Sequence, residues 1–258
     1  MAFPRVMVAY KSMIDHSSLA HDLRALGLRR GDVVLIHSSY RSLGIDNPET
    51  LIQALIHVIG DSGTLLFPAL SYNQTPPTIH NTLTTPSCVG FLPEYFRTRP
   101  GTQRSLHPTH SVCAIGARVG ELLGDHGDDT TPCGPHSPFH KLLHCSGKIL
   151  MLGCGLRPNT TMHAIEECTQ PPYLFGEPLT YTLTNADGIT FNKSYIPHDF
   201  AGFSQRYDRV AALLDDRQRV SGRVGIAAAH LIDAPALYQQ ALAQLKRDPF
   251  FFVEPDAQ

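Results

Sequence analysis

Residues 147–168 read GKILMLGCGLRPNTTMHAIEEC and join an apolar strand, a polar loop and a short helix. The run at 148–152 is short, apolar and bounded by glycines, which predicts a strand buried on both faces. Asn159 or Thr160 is placed to cap the following helix, because either side chain can accept hydrogen bonds from the free N–H groups of a first turn. Ligands of such sheets collect where strands end, so the loop at 153–160 is a candidate site.

The predicted helix carries His163, Glu166 and Glu167 at positions i, i+3 and i+4. The imidazole and at least one carboxylate therefore share a face of the helix. A histidine at a helix start, just past a strand end and beside carboxylates, has the setting of a general base with a raised pKa. The alternative is an ordinary packed helix whose histidine is hydrogen-bonded and whose glutamates face water.

Length and composition favour one globular domain over residues 1–258. The chain has 258 residues, 42% of them hydrophobic and 17% charged, and a net charge of −2. This charge balance lacks the excess of basic residues that is typical of proteins that bind nucleic acid. The longest apolar runs fall short of the ~20 residues of a membrane-spanning helix, and the N-terminus lacks a signal-peptide pattern. We expect a cytoplasmic protein with neither a nucleic-acid nor a membrane partner.

The six cysteines are scattered along the chain without a CxxC pair, at 88, 113, 133, 145, 154 and 168. This spacing argues against a disulfide scaffold and against a structural zinc ribbon. We expect most of them to be reduced, small buried residues.

The region before this stretch alternates strand, loop, helix and strand with short connections. The β-branched strand at 33–36 ends at His37, the helix from Pro48 has Asn47 as its cap, and a second buried strand follows at 64–67. Such an order predicts right-handed crossovers and a largely parallel sheet. Long polar loops at 71–90 and 124–138 are expected on the substrate side of the molecule.

The region after this stretch begins with two alternating segments around residues 185–188, NADG, which predict a β-hairpin. Its exposed edge strand is a candidate contact for a homodimer. A helix is predicted at 204–215 and a strand at 224–229. Asp233 is the predicted cap of a final amphipathic helix.

Two loops rich in hydrogen-bond donors, at 37–44 and 104–111, follow or precede predicted strands. Hydroxyls, free N–H groups and arginines are what phosphates and pantetheine amides require. The chain contains neither a Walker sequence nor GxGxxG, so nucleoside triphosphates and dinucleotides are not indicated.

Four ordered blocks resemble the aminoglycoside 3-N-acetyltransferase family, and the resemblance covers roughly residues 15–245. The blocks are HSSYRSLG at 37–44, RSLHPTHSVCAIG at 104–116, GPHSPFHKL at 134–142 and NTTMHAIEE at 159–167. The resemblance implies a single α/β domain with a central mixed sheet, flanking helices and a smaller antiparallel part. It also implies acetyl-coenzyme A as co-substrate and transfer of its acetyl group to the 3-amino group of an aminoglycoside antibiotic.

The resemblance assigns roles to particular residues. His163 would be the catalytic base, with Thr161 near the developing oxyanion and Glu166 or Asp199 orienting the base. The acceptor amine would meet Asp128, Asp129, Glu167 and His198. The cofactor would be held by Ser38, Ser39, Arg41, Ser42, Leu43, Gly44, Ser105, His107, Ser111, Ser137 and Phe139. Direct transfer is expected, without an acyl-enzyme and without a metal.

Two departures from the family pattern concern the acceptor. Thr109-His110 and Pro135-His136 stand where resistance enzymes of the family carry acidic residues. Aminoglycosides are polycations whose pockets are strongly acidic, so another amine acceptor on the same fold remains an alternative.

Three other classes compete with this interpretation. A zinc amidase or hydrolase would use His136, His140, His144 or His163 with Asp128 or Glu167. The i, i+4 pair His140 and His144 has zinc-ligand spacing, but a solvent-facing helix surface is favoured, because no HExxH is present and Leu142 and Leu143 are the core-facing pair. A cysteine enzyme would use Cys154 or Cys168 as nucleophile. A coenzyme A-binding protein without catalysis is the third alternative.

Overall fold

A computed structural model describes residues 14–256 of the chain. The loose arm or short strand that the sequence predicts at 1–14 lies outside the described residues except for Ile14.

Seven α-helices and twelve strands make up the described part of the chain. The helices are α1 (His16–Leu26), α2 (Pro48–Ile59), α3 (Phe91–Thr98), α4 (Val119–Leu123), α5 (Pro138–His144), α6 (Thr161–Thr169) and α7 (Ala234–Arg247). The strands are β1 (Val33–Ser38), β2 (Thr64–Pro68), β3 (Ile79–Asn81), β4 (Gln103–Arg104), β5 (Val112–Gly116), β6 (Lys148–Leu152), β7 (Leu179–Thr184), β8 (Thr190–Tyr195), β9 (Phe203–Gln205), β10 (Arg219–Val224), β11 (Ala227–Asp233) and β12 (Val253–Pro255).

The central sheet has seven strands in the order β10-β11-β6-β1-β2-β5-β4. The predicted α/β fold with a mixed central sheet is confirmed. Only the neighbouring pairs β6–β1 and β1–β2 are parallel, however, and the four outer pairs are antiparallel. The sheet is therefore less parallel than predicted, because hairpin and return connections at both edges bring in strands of opposite direction.

Alternate residues of β1 face two separate cores, which explains why this strand is apolar throughout. Val33 and Leu35 pack into a core covered by α4, α5, α6 and α7, whereas Val34 and Ile36 pack into one covered by α1, α2 and α3. The sheet is thus the middle of three layers, and its ends are where polar groups reach a cavity.

Strand β6 confirms the predicted strand at the start of the 147–168 stretch. It pairs with β1 so that Leu152 lies opposite Ser38, which places both carboxyl ends at one edge. The predicted caps Asn47 and Asp233 accept N–H groups of their helices. Asn159 contributes at α6 by accepting the N–H of Thr161, although the residue preceding that helix is Thr160.

Two predicted elements near the C-terminus are only partly present. The helix predicted at 204–215 is shortened to a 3-10 helix at Tyr207–Ala212, because the residues before it belong to β9, which pairs with the distant strand β12. The strand predicted at 224–229 spans the turn of the β10–β11 hairpin, where Gly225 adopts a φ of 58°. In both regions long-range pairing overrides local periodicity.

The predicted hairpin is present as β7 and β8 and forms a small sheet with β3. Part of the 71–90 loop is therefore a strand, paired in parallel with β7. The dimer contact at this hairpin stays a prediction. Among residues 14–256, no helix has the length and apolarity required to cross a membrane.

Candidate active site

A cavity of about 450 Å³ opens at the carboxyl ends of β1 and β2. Because β5 runs antiparallel to β2, with Val112 opposite Pro68, the residues just before β5 reach the same edge. The loop before α6 and residues 198–207 complete the walls. The lining residues are Ile36, His37, Ser38, Pro68, Leu70, Tyr72, Val89, Pro93, His110, Arg157, Pro158, Asn159, Thr160, His163, His198, Phe200, Gln205 and Tyr207.

His163, in the first turn of α6, is held from behind by two side chains. Its Nδ1 lies 2.8 Å from the hydroxyl of Tyr207 and 3.3 Å from Oε2 of Glu166. The Tyr207 hydroxyl also donates to that same Oε2 over 2.6 Å. The three groups form a closed cluster on one side of the imidazole.

This cluster determines which ring nitrogen of His163 is free. The Glu166 carboxylate can only accept, so the single proton of the Tyr207 hydroxyl goes to Glu166. The hydroxyl oxygen then accepts from Nδ1–H of His163, which leaves the lone pair on Nε2. Nε2 makes no hydrogen bond with the described residues, and the ring lines the cavity.

Glu166 is fully buried, and its two oxygens have separate partners. Oε2 accepts from Tyr207, and Oε1 accepts from the hydroxyl of Tyr173 over 2.9 Å. Burial and the neighbouring Glu166 raise the pKa of both tyrosines, and that of Tyr207 lies well above its usual range. Both phenols therefore remain protonated hydrogen-bond donors at neutral pH.

Two further histidines stand beside His163 with their rings close together. The ring centroids are 5.8 Å apart for His110 and His163, 5.5 Å for His110 and His198, and 5.0 Å for His163 and His198. Burial and the neighbouring imidazoles hold the pKa of His110 and His198 well below the usual value. Both are neutral at pH 7.

Glu167 supports His198 from outside the cavity. Its carboxylate accepts from Thr131 Oγ1, from the backbone N–H of Cys133 and from Nε2 of His198. Burial raises the pKa of Glu167 to about 7 even though these hydrogen bonds oppose the shift. The glutamate is thus a buried anchor for the histidine.

Several polar atoms of the cavity wall have no hydrogen-bond partner among the described residues. They are Nε2 of His37, Oγ of Ser38, Nδ2 of Asn159 and Nδ1 of His198. Oδ1 of Asn159 accepts the N–H of Thr161, so its amide nitrogen is the atom left over. Buried polar atoms without partners are costly, which favours a polar ligand in the cavity.

The sequence matches a family model described as aminoglycoside 3-N-acetyltransferase over residues 35–246. The chain belongs to the aminoglycoside 3-N-acetyltransferase family. The resemblance seen in the four sequence blocks is thereby confirmed, and the chain is an enzyme of this transferase family.

The chain is similar to individual members of the family over most of its length. It is 32% identical to aminoglycoside N(3)-acetyltransferase IV of Salmonella sp, over 93% of this chain and 90% of that protein. A crystal structure of an aminoglycoside acetyltransferase AAC(3)-IVa mutant in complex with a gentamicin superposes with a TM-score of 0.82 at 30% identity, covering 96% and 94% of the two chains. The complex of AAC-IIIb with CoASH gives 0.80 at 29% identity, covering 95% and 100%.

Part of the predicted cofactor loop of this acetyltransferase lies at the cavity. Ser38 lines it, and Ser42 Oγ contacts both Ser39 Oγ and the carbonyl of Gly153 at the end of β6. Arg41 and Gly44 are exposed on the outer side of the loop. These residues remain candidates for cofactor contacts.

Six other predicted cofactor residues are buried in the fold and do not line the cavity. Leu43 and Phe139 lie in the two cores, Ser137 caps α5, and Ser111 bridges Arg104 and the carbonyl of Ala69. Ser105 and His107 hold the 105–112 turn by contacts with His126 and with backbone N–H groups. Their exposed fractions are 0 to 2%, and their cofactor contacts stay predictions; the six are Leu43, Ser105, His107, Ser111, Ser137 and Phe139.

Two predicted catalytic residues, Thr161 and Asp199, do not line the cavity. Thr161 is fully buried and does not line the cavity, because the helix turns its side chain inward. Asp199 is exposed and makes no hydrogen bond with His163, whose Nδ1 contacts Glu166 and Tyr207 instead.

The predicted acidic contacts for the acceptor lie outside the cavity wall. Asp128 is exposed on a 3-10 turn, and Asp129 is buried against its own loop, where it accepts the N–H of His136. Glu167 stands behind His198. Of the four predicted substrate residues, only His198 lines the cavity.

The alternative chemistries find less support. Of the predicted zinc set, only His163 joins a cluster of potential ligands within residues 14–256, and His140 and His144 sit on α5 with Leu142 and Leu143 facing the core. Burial raises the pKa of Cys154 to about 11, which disfavours the thiolate that a nucleophile needs.

Four site residues were absent from the sequence prediction of the site: His37, His110, Asn159 and Tyr207. Three of them, His37, His110 and Asn159, fall within the quoted blocks. The blocks draw attention to these residues but do not distinguish residues of the cavity wall from residues of the core. Tyr207 lies in a segment predicted as helix, and nothing in its local pattern points to His163.

Proposed function

We propose that this enzyme transfers the acetyl group of acetyl-coenzyme A directly to an amine of an aminoglycoside, the 3-amino group in the family's reaction. The observation that carries the proposal is His163, whose Nδ1 is occupied by Tyr207 and Glu166 and whose Nε2 is free at the cavity. The solved relatives with CoASH and with a gentamicin support both substrates.

In the proposed reaction the acceptor nitrogen attacks the thioester carbonyl while Nε2 of His163 removes a proton from that nitrogen. The carbon–nitrogen bond forms, the tetrahedral intermediate collapses, and the carbon–sulfur bond breaks to release coenzyme A as thiolate. The proton held on His163 is then available to the thiolate. Tyr207 and Glu166 stabilise the imidazolium that exists between these steps.

The oxyanion of the intermediate needs a hydrogen-bond donor at the cavity wall. Asn159 fits this role better than Thr161, because its amide nitrogen is unpartnered and its orientation is held by the Thr161 N–H. A single preorganised donor of this kind is worth about 10²–10³ in rate in other acyl-transfer enzymes.

The cofactor is proposed to enter along the loop at 37–44. Ser38 offers an unpartnered hydroxyl at the cavity, and Arg41 makes no hydrogen bond or ion pair with residues 14–256. An exposed, free guanidinium suits the phosphates of coenzyme A.

The test is release of coenzyme A thiol from acetyl-coenzyme A in the presence of a panel of aminoglycosides. His163→Ala should lower kcat by about 10²–10⁴-fold, the usual contribution of a general base, while calorimetry still detects acetyl-coenzyme A binding. His144→Ala, a histidine on the outer helix α5, is the matched control and should keep the wild-type rate. Retention of full activity in His163→Ala would contradict the proposed base.

A second candidate acceptor is an amine with fewer positive charges. The residues that line the cavity include Arg157 and four histidines but neither an aspartate nor a glutamate, whereas a polycation is normally met by carboxylates. The same assay should include monoamines beside the aminoglycosides. A higher kcat/KM for the monoamines would favour this candidate over the aminoglycoside.

A further inference from the structure

Three histidines, one buried and two half-buried, converge at the cavity with one ring nitrogen of each close to those of the other two. The potential ligand atoms of His110, His163 and His198 all lie within 4.8 Å of one another. The side chains of His163 and His198 are only 13% and 4% exposed, and His110 is 8% exposed. Acetyl transfer by a single histidine base does not require this convergence.

The other nitrogen of each ring is already held by an oxygen. Nδ1 of His163 bonds to Tyr207 and Glu166, Nε2 of His198 bonds to Glu167, and Nδ1 of His110 lies 2.9 Å from Oγ1 of Thr109. Nδ1 of His198 is buried and has no partner among residues 14–256. Carboxylates and hydroxyls behind imidazoles are the usual outer shell of metal-binding histidines, since they fix the tautomer and aim the free nitrogen.

We propose that His110, His163 and His198 bind a divalent transition metal ion of the zinc class. Three imidazole ligands at one wall of a cavity leave the fourth position of a tetrahedral ion open to water or a ligand. The ion would take the lone pair of His163 Nε2, the same lone pair that accepts the proton in acetyl transfer. Metal binding and acetyl transfer therefore exclude each other, so zinc is a reversible inhibitor.

The inhibition rests on the proposed function, but metal binding does not. Binding is measured on the intact chain without coenzyme A, by titration with Zn²⁺ against a chromophoric chelator and by the visible spectrum of added Co²⁺. We expect one ion per chain and the intense d–d bands of four- or five-coordinate cobalt. A thiolate-to-cobalt charge-transfer band would assign the ion to a cysteine and overturn the proposal.

Matched variants separate this site from other histidines. His110→Ala and His198→Ala remove a ligand and should abolish stoichiometric binding, whereas Glu167→Gln alters only the outer shell and should weaken it by about 10- to 100-fold. The double variant His140→Ala/His144→Ala removes a histidine pair of zinc-ligand spacing on α5 and should bind as the wild type does. Loss of binding in this double variant, or its retention in His198→Ala, would refute the site.

Inhibition is measured from initial rates at free Zn²⁺ concentrations set by a metal buffer. The buffer is needed because the coenzyme A thiol released by the reaction would otherwise bind zinc and change its free concentration. Half of the activity should be lost at the same free zinc concentration at which half of the metal sites are filled. In His198→Ala this concentration should be higher, even if the zinc-free rate of that variant differs from the wild-type rate. Wild-type binding without inhibition would retain the metal site and reject His163 as the base. Absence of binding together with full activity would reject the metal site alone.

Discussion

At the scale of single residues, the site depends on one hydroxyl between a histidine and a carboxylate. The direct contact between His163 Nδ1 and Glu166 is 3.3 Å, longer than a good hydrogen bond, whereas both groups lie within 2.8 Å of the Tyr207 oxygen. Tyr207 is therefore the principal link between the carboxylate and His163, and we propose that it orients this histidine as the base.

Tyr207→Phe should keep the buried ring and lose this link. A hydrogen bond to a charged group contributes about 1.5–3 kcal/mol, so kcat should fall about 10- to 100-fold and its pH profile should shift with the altered base. Tyr173→Phe is the control, because Tyr173 donates to the other oxygen of Glu166 and does not hydrogen-bond His163. Steady-state kinetics across pH would measure both; equal losses of kcat in the two variants would contradict a specific role for Tyr207.

At the scale of elements, the loop between β6 and α6 carries the site because its backbone takes turns that most residues avoid. Gly153 and Gly155 both have a φ of +66°. Gly153 also lies against the cofactor loop, so a Cβ built there would stand 2.7 Å from Cβ of Ser42. The two loops at neighbouring strand ends thus approach more closely than side chains would permit.

Substitution of these two glycines by alanine separates backbone strain from collision. Gly155→Ala meets no atom within 4 Å, so it should lose only the ~1–2 kcal/mol of a left-handed residue. Gly153→Ala adds the clash with Ser42 and should lower the free energy of unfolding by a further ~1–3 kcal/mol, with a raised KM for acetyl-coenzyme A. Denaturant unfolding and kinetics would measure this; similar values for both variants would mean that the loops separate without cost.

At the scale of the whole molecule, the burial of many neutral histidines connects stability to pH. Burial lowers the pKa of His37, His80 and His126 to about 3 and holds that of His107, His110 and His198 well below 6.5. The unfolded chain binds protons at these positions below pH 6.5, whereas the folded chain does not. The contribution of these neutral histidines to the free energy of unfolding is thus complete above pH 6.5 and decreases as the pH falls toward 3.

We expect the free energy of unfolding to decrease steeply from neutral pH to about pH 5, since each such histidine costs up to about 1.4 kcal/mol per pH unit. Glu167 and Asp129 oppose this decrease in stability. Burial raises their pKa values to about 7 and 6, so the folded chain binds their protons more readily than the unfolded chain and is favoured as the pH falls. The histidines outnumber them. Denaturant unfolding across this range is the measurement, and a constant midpoint would show that the buried rings are solvated.

Elements with a local sequence pattern could be predicted without the structure. The buried strand at 148–152, the helix that carries His163, the caps Asn47 and Asp233 and the hairpin turn all follow from polarity and turn chemistry within a few residues. The four ordered blocks were enough to indicate the family, because they preserve residue types together with their order.

Only the tertiary structure decided which polar residues meet at the cavity. Ser105 and His107 belong to a donor-rich block and are buried as turn supports, whereas His110 from the same block lines the wall. Tyr207 joins His163 from 44 residues away in the chain. The direction of β5 and the pairing of β9 with β12 create these proximities, and long-range strand pairing has no signature in a local window of sequence.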